Sequence, residues 1–256
     1  MRDHGPMAGL AEMPSILRLD LAVVELPDYH PAAHRGRTVP VYGYCILHPD
    51  GPILVDTGVG FGNDLVDELY NPRREILGQL LQQAGIEVSE VVAVISSHLH
   101  FDHCGQNPAL FNGPTVFLAQ ATEYETASRD PDYTDASWAL APEHQRRVVS
   151  GDEEVAESVT ILATPGHTAG HQSVLVEAGA RRVVIGAQMV WHADELADEV
   201  ASVENVDPDP ALQKAAIDSI RRIKALNPEI IHLSHCAAFD PGGALPTATD
   251  PMSERE

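Results

Sequence analysis

The stretch SSHLHFDHCG, residues 96–105, constrains this chain more than any other. It places His98, His100, Asp102 and His103 within six residues, directly after the apolar run VVAVI. Neutral imidazole and carboxylate are good ligands for zinc or iron. Four such groups at this spacing cannot share one helical face, because positions i and i+2 point apart there. A loop leaving a strand can splay them toward two adjacent metals. The competing explanation is a solvated histidine-rich loop, so the question is whether matching ligands occur elsewhere.

They do. TPGHTAGHQS, residues 164–173, sets His167 and His171 in a Pro-Gly loop after an apolar run. His167 is the better ligand candidate, and His171 is expected to pack or hydrogen-bond beneath the loop. HLSHC, residues 232–236, ends another apolar run. His235 is the candidate there, with His232 in the core or on the surface. A fold that serves these motifs must bring three strand-to-loop junctions to one place.

The chain has 256 residues, enough for one large domain. Residues 1–14 are expected to be a flexible arm, 15–240 the domain and 241–256 a flexible tail. LRLDLAVVEL alternates as a strand does, and VPVYGYCILHPDGPILVDTG reads as two strands around a turn. REILGQLLQQAG and DPALQKAAIDSIRRIKAL have helical spacing. VVAVISS, PTVFLA, VTILATPG, SVLVEAG and EIIHLSH read as further strands, and residues 121–147 as helical and irregular with no clear strand. VVIGAQMVW, residues 183–191, is expected to be one buried strand with Gln188 near its middle. Strand-rich halves with helices between and outside imply a sheet sandwich flanked by helices, an α/β fold.

Charge narrows the partners. With 38 acidic and 16 basic residues the formal charge is −22. That argues against nucleic acid and against an anionic membrane surface. It also disfavours an acidic substrate unless a metal supplies positive charge. The three cysteines, Cys45, Cys104 and Cys236, suit a reduced cytoplasmic protein better than a disulfide framework. No apolar run reaches the length of a membrane span, and the first residues lack the apolar core of a signal peptide.

With these motifs in view the chain resembles the metallo-β-lactamase superfamily, from about residue 38 to about 240. LVDTG (54–58), HLHFDH, TPGH and the late Ser-His carry the resemblance. VPVYGYCIL, GPILVDTG, TEYE and TPGHTAGHQS are most similar to its N-acyl homoserine lactonase branch. The resemblance implies an αββα four-layer sandwich with the site along one edge. It implies one metal on His98, His100 and His167 and a second on Asp102, His103 and His235, with Asp56 supporting the ligands from behind. Two zinc ions are expected, with iron, cobalt or manganese open. A small lactone or ester is the expected partner, for a monomer or homodimer with a quorum-quenching role.

In that branch an aspartate from a later strand bridges the metals. Counting back from ADEV (197–200), its counterpart here is Gln188. The same register puts Trp191 where those lactonases carry a tyrosine near the substrate carbonyl. Residues 178–193 contain no Asp or Glu, and the next acid is Asp194. Gln188 is nearly isosteric with a carboxylate but neutral, with one good acceptor. Weaker binding of at least one metal follows. Cys104 and Cys236, each beside a ligand histidine, offer thiolates that could compensate. Phe61, Phe101 and Trp191 are candidates for the substrate wall.

The leading expectation is a metal-dependent hydrolase that opens a lactone by attack of a metal-bound hydroxide, with Asp102 shuttling a proton. The residues themselves support metal-assisted hydrolysis; the lactone comes from the resemblance. Alternatives are a hydrolase of another ester or amide, a redox enzyme of the same fold, and a non-catalytic ligand-binding member. The redox alternative needs acids this chain lacks, and Gln188 keeps the non-catalytic one open.

Overall fold

The computed structural model describes residues 14–239. The expected tail, and the arm apart from Pro14, lie outside the described residues. The first seven strands form one sheet: β1 (Ser15–Glu25), β2 (Thr38–Leu47), β3 (Ile53–Val55), β4 (Arg73–Arg74), β5 (Ala93–Ile95), β6 (Val116–Gln120) and β7 (Arg146–Val149), in the order β4-β1-β2-β3-β5-β6-β7. The last five form the other: β8 (Glu153–Ala156), β9 (Val159–Ala163), β10 (Gln172–Ala178), β11 (Arg181–Ala187) and β12 (Ile230–Leu233), in the order β12-β11-β10-β9-β8.

Successive strand side chains point to opposite faces, and here both faces are apolar. On the inner faces, Tyr44, Ile46, Val55, Ile95 and Leu118 meet Val159, Ile161, Val174, Val176 and Ile185 in one buried cluster. Their sequence neighbours Cys45, Leu54, Val94, Phe117 and Ala119 face outward under the helices α1 (Asp64–Tyr70), α2 (Leu77–Gln83), α3 (Phe101–Cys104), α4 (Ala121–Arg129) and α5 (Ala136–Ala139). On the far side, Leu162, Leu175, Val184 and Ile231 bury the apolar residues of α6 (Ala193–Asp198) and α7 (Pro210–Ala225), among them Leu196, Ile220 and Ile223. The result is helix, sheet, sheet, helix. Pro210 in the first turn of α7, and the Asp209 carboxylate accepting from Ala211 N–H, set where that helix begins.

Strand direction gathers the functional loops. β3 and β5 are parallel, so their C-terminal ends lie together. β9 and β11 are both antiparallel to β10, and β12 is parallel to β11, so these three end together as well. The chain then turns sharply. Asp56 after β3 and Ala187 at the end of β11 have φ of 63° and 49°, in the left-handed region that few non-glycine residues occupy. The expected strand over 183–191 therefore stops at Ala187, and Gln188 and Trp191 lie in the turn beyond it. Three short strands, β4, β7 and β8, were not expected: each is polar and lies at or beside a sheet edge. Among the described residues no helix is long and apolar enough to cross a membrane.

Candidate metal centre

The histidine-rich stretch changes conformation halfway. His98, Leu99 and His100 leave β5 without helical structure, and His100 is extended at φ −68° and ψ 159°. His98 and His100 therefore face one side while Leu99 is buried in the core beneath the helices. One helical turn, α3, follows and redirects Asp102 and His103. The expected open loop is thus an extended segment followed by a helical turn, and this switch lets six residues feed two clusters.

In the first cluster, His98 Nε2 and His167 Nε2 each lie 3.1 Å from His100 Nδ1. The second nitrogen of His167 is committed, because Nδ1–H donates to the Asn205 carbonyl at 2.6 Å. Its Nε2 lone pair is left facing inward. His98 Nδ1 lies 3.1 Å from the Ser97 hydroxyl. Asn205 also donates from its side chain to the carbonyls of Gln188 and Met189, at 3.3 and 3.1 Å, tying the turn after β11 to the His167 loop.

In the second cluster, the buried Asp56 carboxylate accepts from Ser97 N–H, the Ser97 hydroxyl and His103 Nδ1–H, at 2.7, 2.8 and 2.8 Å. This aims His103 Nε2 inward. His235 is aimed in the same way by donating Nδ1–H to the Pro40 carbonyl at 2.9 Å. Both Nε2 atoms lie 3.6 Å from Asp102 Oδ2. Gln188 Oε1 sits against both, 2.9 Å from His103 and 3.1 Å from His235. Gln188 is buried at 4% exposure, so the side chain is enclosed with the histidines.

The chemistry of these donors fits cations. Burial pushes His98 and His167 well below the usual histidine range, reinforced by the neighbouring imidazoles. Burial also pushes His100 and His235 down to about 4, with Asp102 only partly opposing it. These rings are neutral at pH 7; the inward nitrogens of His98, His100 and His167 face one another, and His235 Nε2 faces the oxygens of Gln188 and Asp102. His103 goes up to about 9: burial lowers it, but the Asp102 and Asp56 carboxylates more than reverse that. Burial raises Asp102, yet His103, His235 and His100 hold it below the usual carboxylate range. Each triplet, His98-His100-His167 and Asp102-His103-His235, has one ligand atom per residue within 4.8 Å of the others. The inward Nε2 atoms of His103, His167 and His235, whose rings are fixed at Nδ1 by a carboxylate or a carbonyl, are in the arrangement that metal-binding histidines adopt.

A cleft of about 260 Å³ opens onto both clusters, with Leu26, His30, Tyr70, Tyr133 and Trp191 among its walls. Trp191 is 6% exposed and stacks on His235 with ring centres 4.8 Å apart. Phe101 also lines the cleft and packs on Tyr70 at 4.4 Å. Phe61 does not line it, contrary to expectation. Its ring is 53% exposed and borders a separate groove with Ile76, Gln106 and Trp138, because the glycine-rich segment before α1 carries it outward. Neither thiol compensates for Gln188. Cys104 Sγ turns to the carbonyls of Leu99 and His100, and Cys236 packs in the outer cluster beside the start of α6. His171 is held by Thr164 with its ring centre 5.6 Å from that of His98, and His232 packs on Tyr44; neither belongs to a triplet. The roles of His30, Tyr133 and Asn205 were missed. His30 sits in an irregular stretch with no motif, and Asn205 contributes a main-chain carbonyl, which residue identity does not announce.

Comparisons with known proteins agree with this fold. The family model of the metallo-beta-lactamase superfamily matches residues 36–235. An N-acyl homoserine lactonase of Bacillus thuringiensis is 33% identical over 199 residues, covering 73% of this chain and 76% of the relative. Another, from a Bacillus species, is 36% identical over 151 residues, covering 54% of this chain and 59% of that relative. A solved N-acyl homoserine lactone hydrolase, with N-hexanoyl-L-homoserine bound at its catalytic metal centre, matches with a TM-score of 0.73 at 28% identity, covering 87% of this chain and 93% of that one.

Proposed function

The chain belongs to the metallo-beta-lactamase superfamily as a lactonase-like metal-dependent hydrolase, and from that premise we propose that it opens the ring of an N-acyl homoserine-type lactone. The observation that carries the proposal is the pair of adjoining acceptor clusters at the floor of one cleft. His98, His100 and His167 would hold one ion, and Asp102, His103 and His235 a second. Imidazole and carboxylate donors suit zinc. Bound there, such ions would polarise a carbonyl oxygen and lower the pKa of a water to about 7.

The chain's own groups supply the rest. In lactone opening a water oxygen adds to the carbonyl carbon, the ring C–O bond breaks, and the departing alkoxide takes up a proton. Asp102 would carry that proton, since its carboxylate lines the cleft 3.6 Å from both His103 Nε2 and His235 Nε2. Trp191 and Phe101 form the apolar wall that excludes water and receives the apolar part of the substrate. Asp56 and the Pro40 carbonyl hold Nδ1 of His103 and His235, so that each Nε2 faces inward. Gln188 supplies a neutral amide oxygen between those two rings, so the second cluster carries one negative charge less than a carboxylate would give it.

The test is a substrate panel. Chelated protein reconstituted with zinc, cobalt or manganese is assayed on homoserine lactones of graded acyl length and on aryl esters, with ring opening read as proton release. Metal-dependent opening of lactones is expected, with aryl esters slower. Reconstituted protein that cleaves aryl esters and leaves every lactone intact would overturn the lactone assignment.

A further inference from the structure

Glu123 is a buried carboxylate that the reaction outlined above does not use. It lies in α4, is 1% exposed, and forms no ion pair among the described residues. Its partners are all neutral donors. Oε2 accepts from Leu99 N–H at 2.8 Å and from the Tyr133 hydroxyl at 2.6 Å, and Oε1 accepts from the Thr168 hydroxyl at 2.7 Å. Burying an ionised carboxylate is costly unless its oxygens are well satisfied, and these bonds satisfy them.

The identity of the partners gives the arrangement its meaning. Leu99 is the residue between His98 and His100, so the bond to its N–H fixes the backbone from which both rings project. Thr168 directly follows His167. Tyr133 lays its ring against His100, with centres 4.6 Å apart. One side chain thus holds the loop after β5, the loop after β9 and the aromatic beside His100. The fit is close: a Cβ on Gly170 would lie 2.7 Å from Glu123 Oε1 and 2.9 Å from Glu123 N.

We propose that Glu123 is the positioning residue of the first cluster, setting the spacing of His98, His100 and His167 for a cation through the loops it joins. The proposal rests on reading that cluster as a metal site. Its removal acts on one cluster, because the contacts of Glu123 reach the β5 and β9 loops and the α4–α5 segment, whereas His103 and His235 are aimed by Asp56 and Pro40.

The test is titration of cobalt(II) into metal-free protein, followed by visible absorption, with circular dichroism to confirm the fold. The first cluster's step is the one that His98→Ala removes. Glu123→Gln keeps the side-chain shape without the charge. Thr168→Val cuts the hydroxyl's ties to Glu123 and Tyr133 and leaves the Glu123 carboxylate itself in place, and Thr168→Ser keeps them. We expect Glu123→Gln and Thr168→Val to weaken that step by about 10- to 100-fold and to spare the other, with Thr168→Ser close to wild type. If Glu123→Gln does not fold, Thr168→Val and Thr168→Ser decide. Variants that lose thermal stability while both steps stay unchanged overturn the proposal alone. Wild-type protein that gives no cobalt step overturns the reading of the centre, and this proposal with it.

Discussion

At the scale of single residues, Gln188 is where this chain departs from what its resemblance to lactonases implies. Its amide oxygen lies 2.9 and 3.1 Å from the inward nitrogens of His103 and His235, the place where a carboxylate would add charge and a second strong donor. Restoring the acid should therefore strengthen metal binding. Gln188→Asp, dialysed against a graded chelator and analysed for metal, is expected to retain its less tightly held ion at about 10-fold higher chelator strength. Unchanged retention would mean that residue 188 does not act on the ions. Most of the site was legible at this scale because imidazoles at dense spacing are rare and chemically pointed. The parts that were not legible, such as the Asn205 carbonyl on His167 and the ring of His30 beside Trp191, depend on which loops meet. Phe61 shows the converse: an aromatic in a plausible loop points away once the chain turns.

At the scale of elements, the site depends on how strands end. Asp56 and Ala187 take left-handed conformations directly after β3 and at the end of β11, and α3 replaces an extended segment after the first three residues of the histidine motif. Buried strands were readable from their apolar runs. The edge strands β7 and β8 were not, because Arg146, Arg147, Glu153 and Glu154 give no apolar alternation and pair only because a neighbour is already in place. The turn out of α3 depends on a close backbone approach. Gly105 N–H donates to the Gly58 carbonyl at 2.7 Å, and a Cβ on Gly105 would lie 1.9 Å from Gly60 N. Main-chain atoms cannot step aside as a flexible side chain can. Gly105→Ala is therefore expected to destabilise the protein by about 3 kcal/mol in urea unfolding, and to weaken metal uptake through the displaced α3. Gly113→Ala, whose nearest neighbour is 3.4 Å away, should stay within about 0.5 kcal/mol of wild type. Equal stability of the two variants would contradict the close-approach argument.

At the scale of the whole molecule, the sandwich stands on three apolar clusters: between the sheets, under the first group of helices, and under α6 and α7. None of them needs a metal. Chelated protein should therefore keep its far-UV spectrum and melt cooperatively at a lower temperature, with zinc restoring stability in proportion to the logarithm of its concentration. Loss of the far-UV spectrum on chelation would mean that the centre holds the fold together. The formal charge of −22 leaves the clusters as a place where cations are welcome on an otherwise anionic chain. The layered architecture was legible in the sequence because helices and strands alternated with apolar faces to spare. The convergence of five strand ends on one cleft rested on the resemblance, since no local pattern encodes strand order.

The most direct test of the account joins occupancy to turnover in one preparation. Metal-free protein is titrated with zinc, and bound zinc and the rate of homoserine lactone opening are measured at each point. The account predicts no turnover without metal, a rate that rises as the two clusters fill, and saturation at two ions per chain. Full lactone opening by metal-free protein, or two bound ions with no opening, would contradict it.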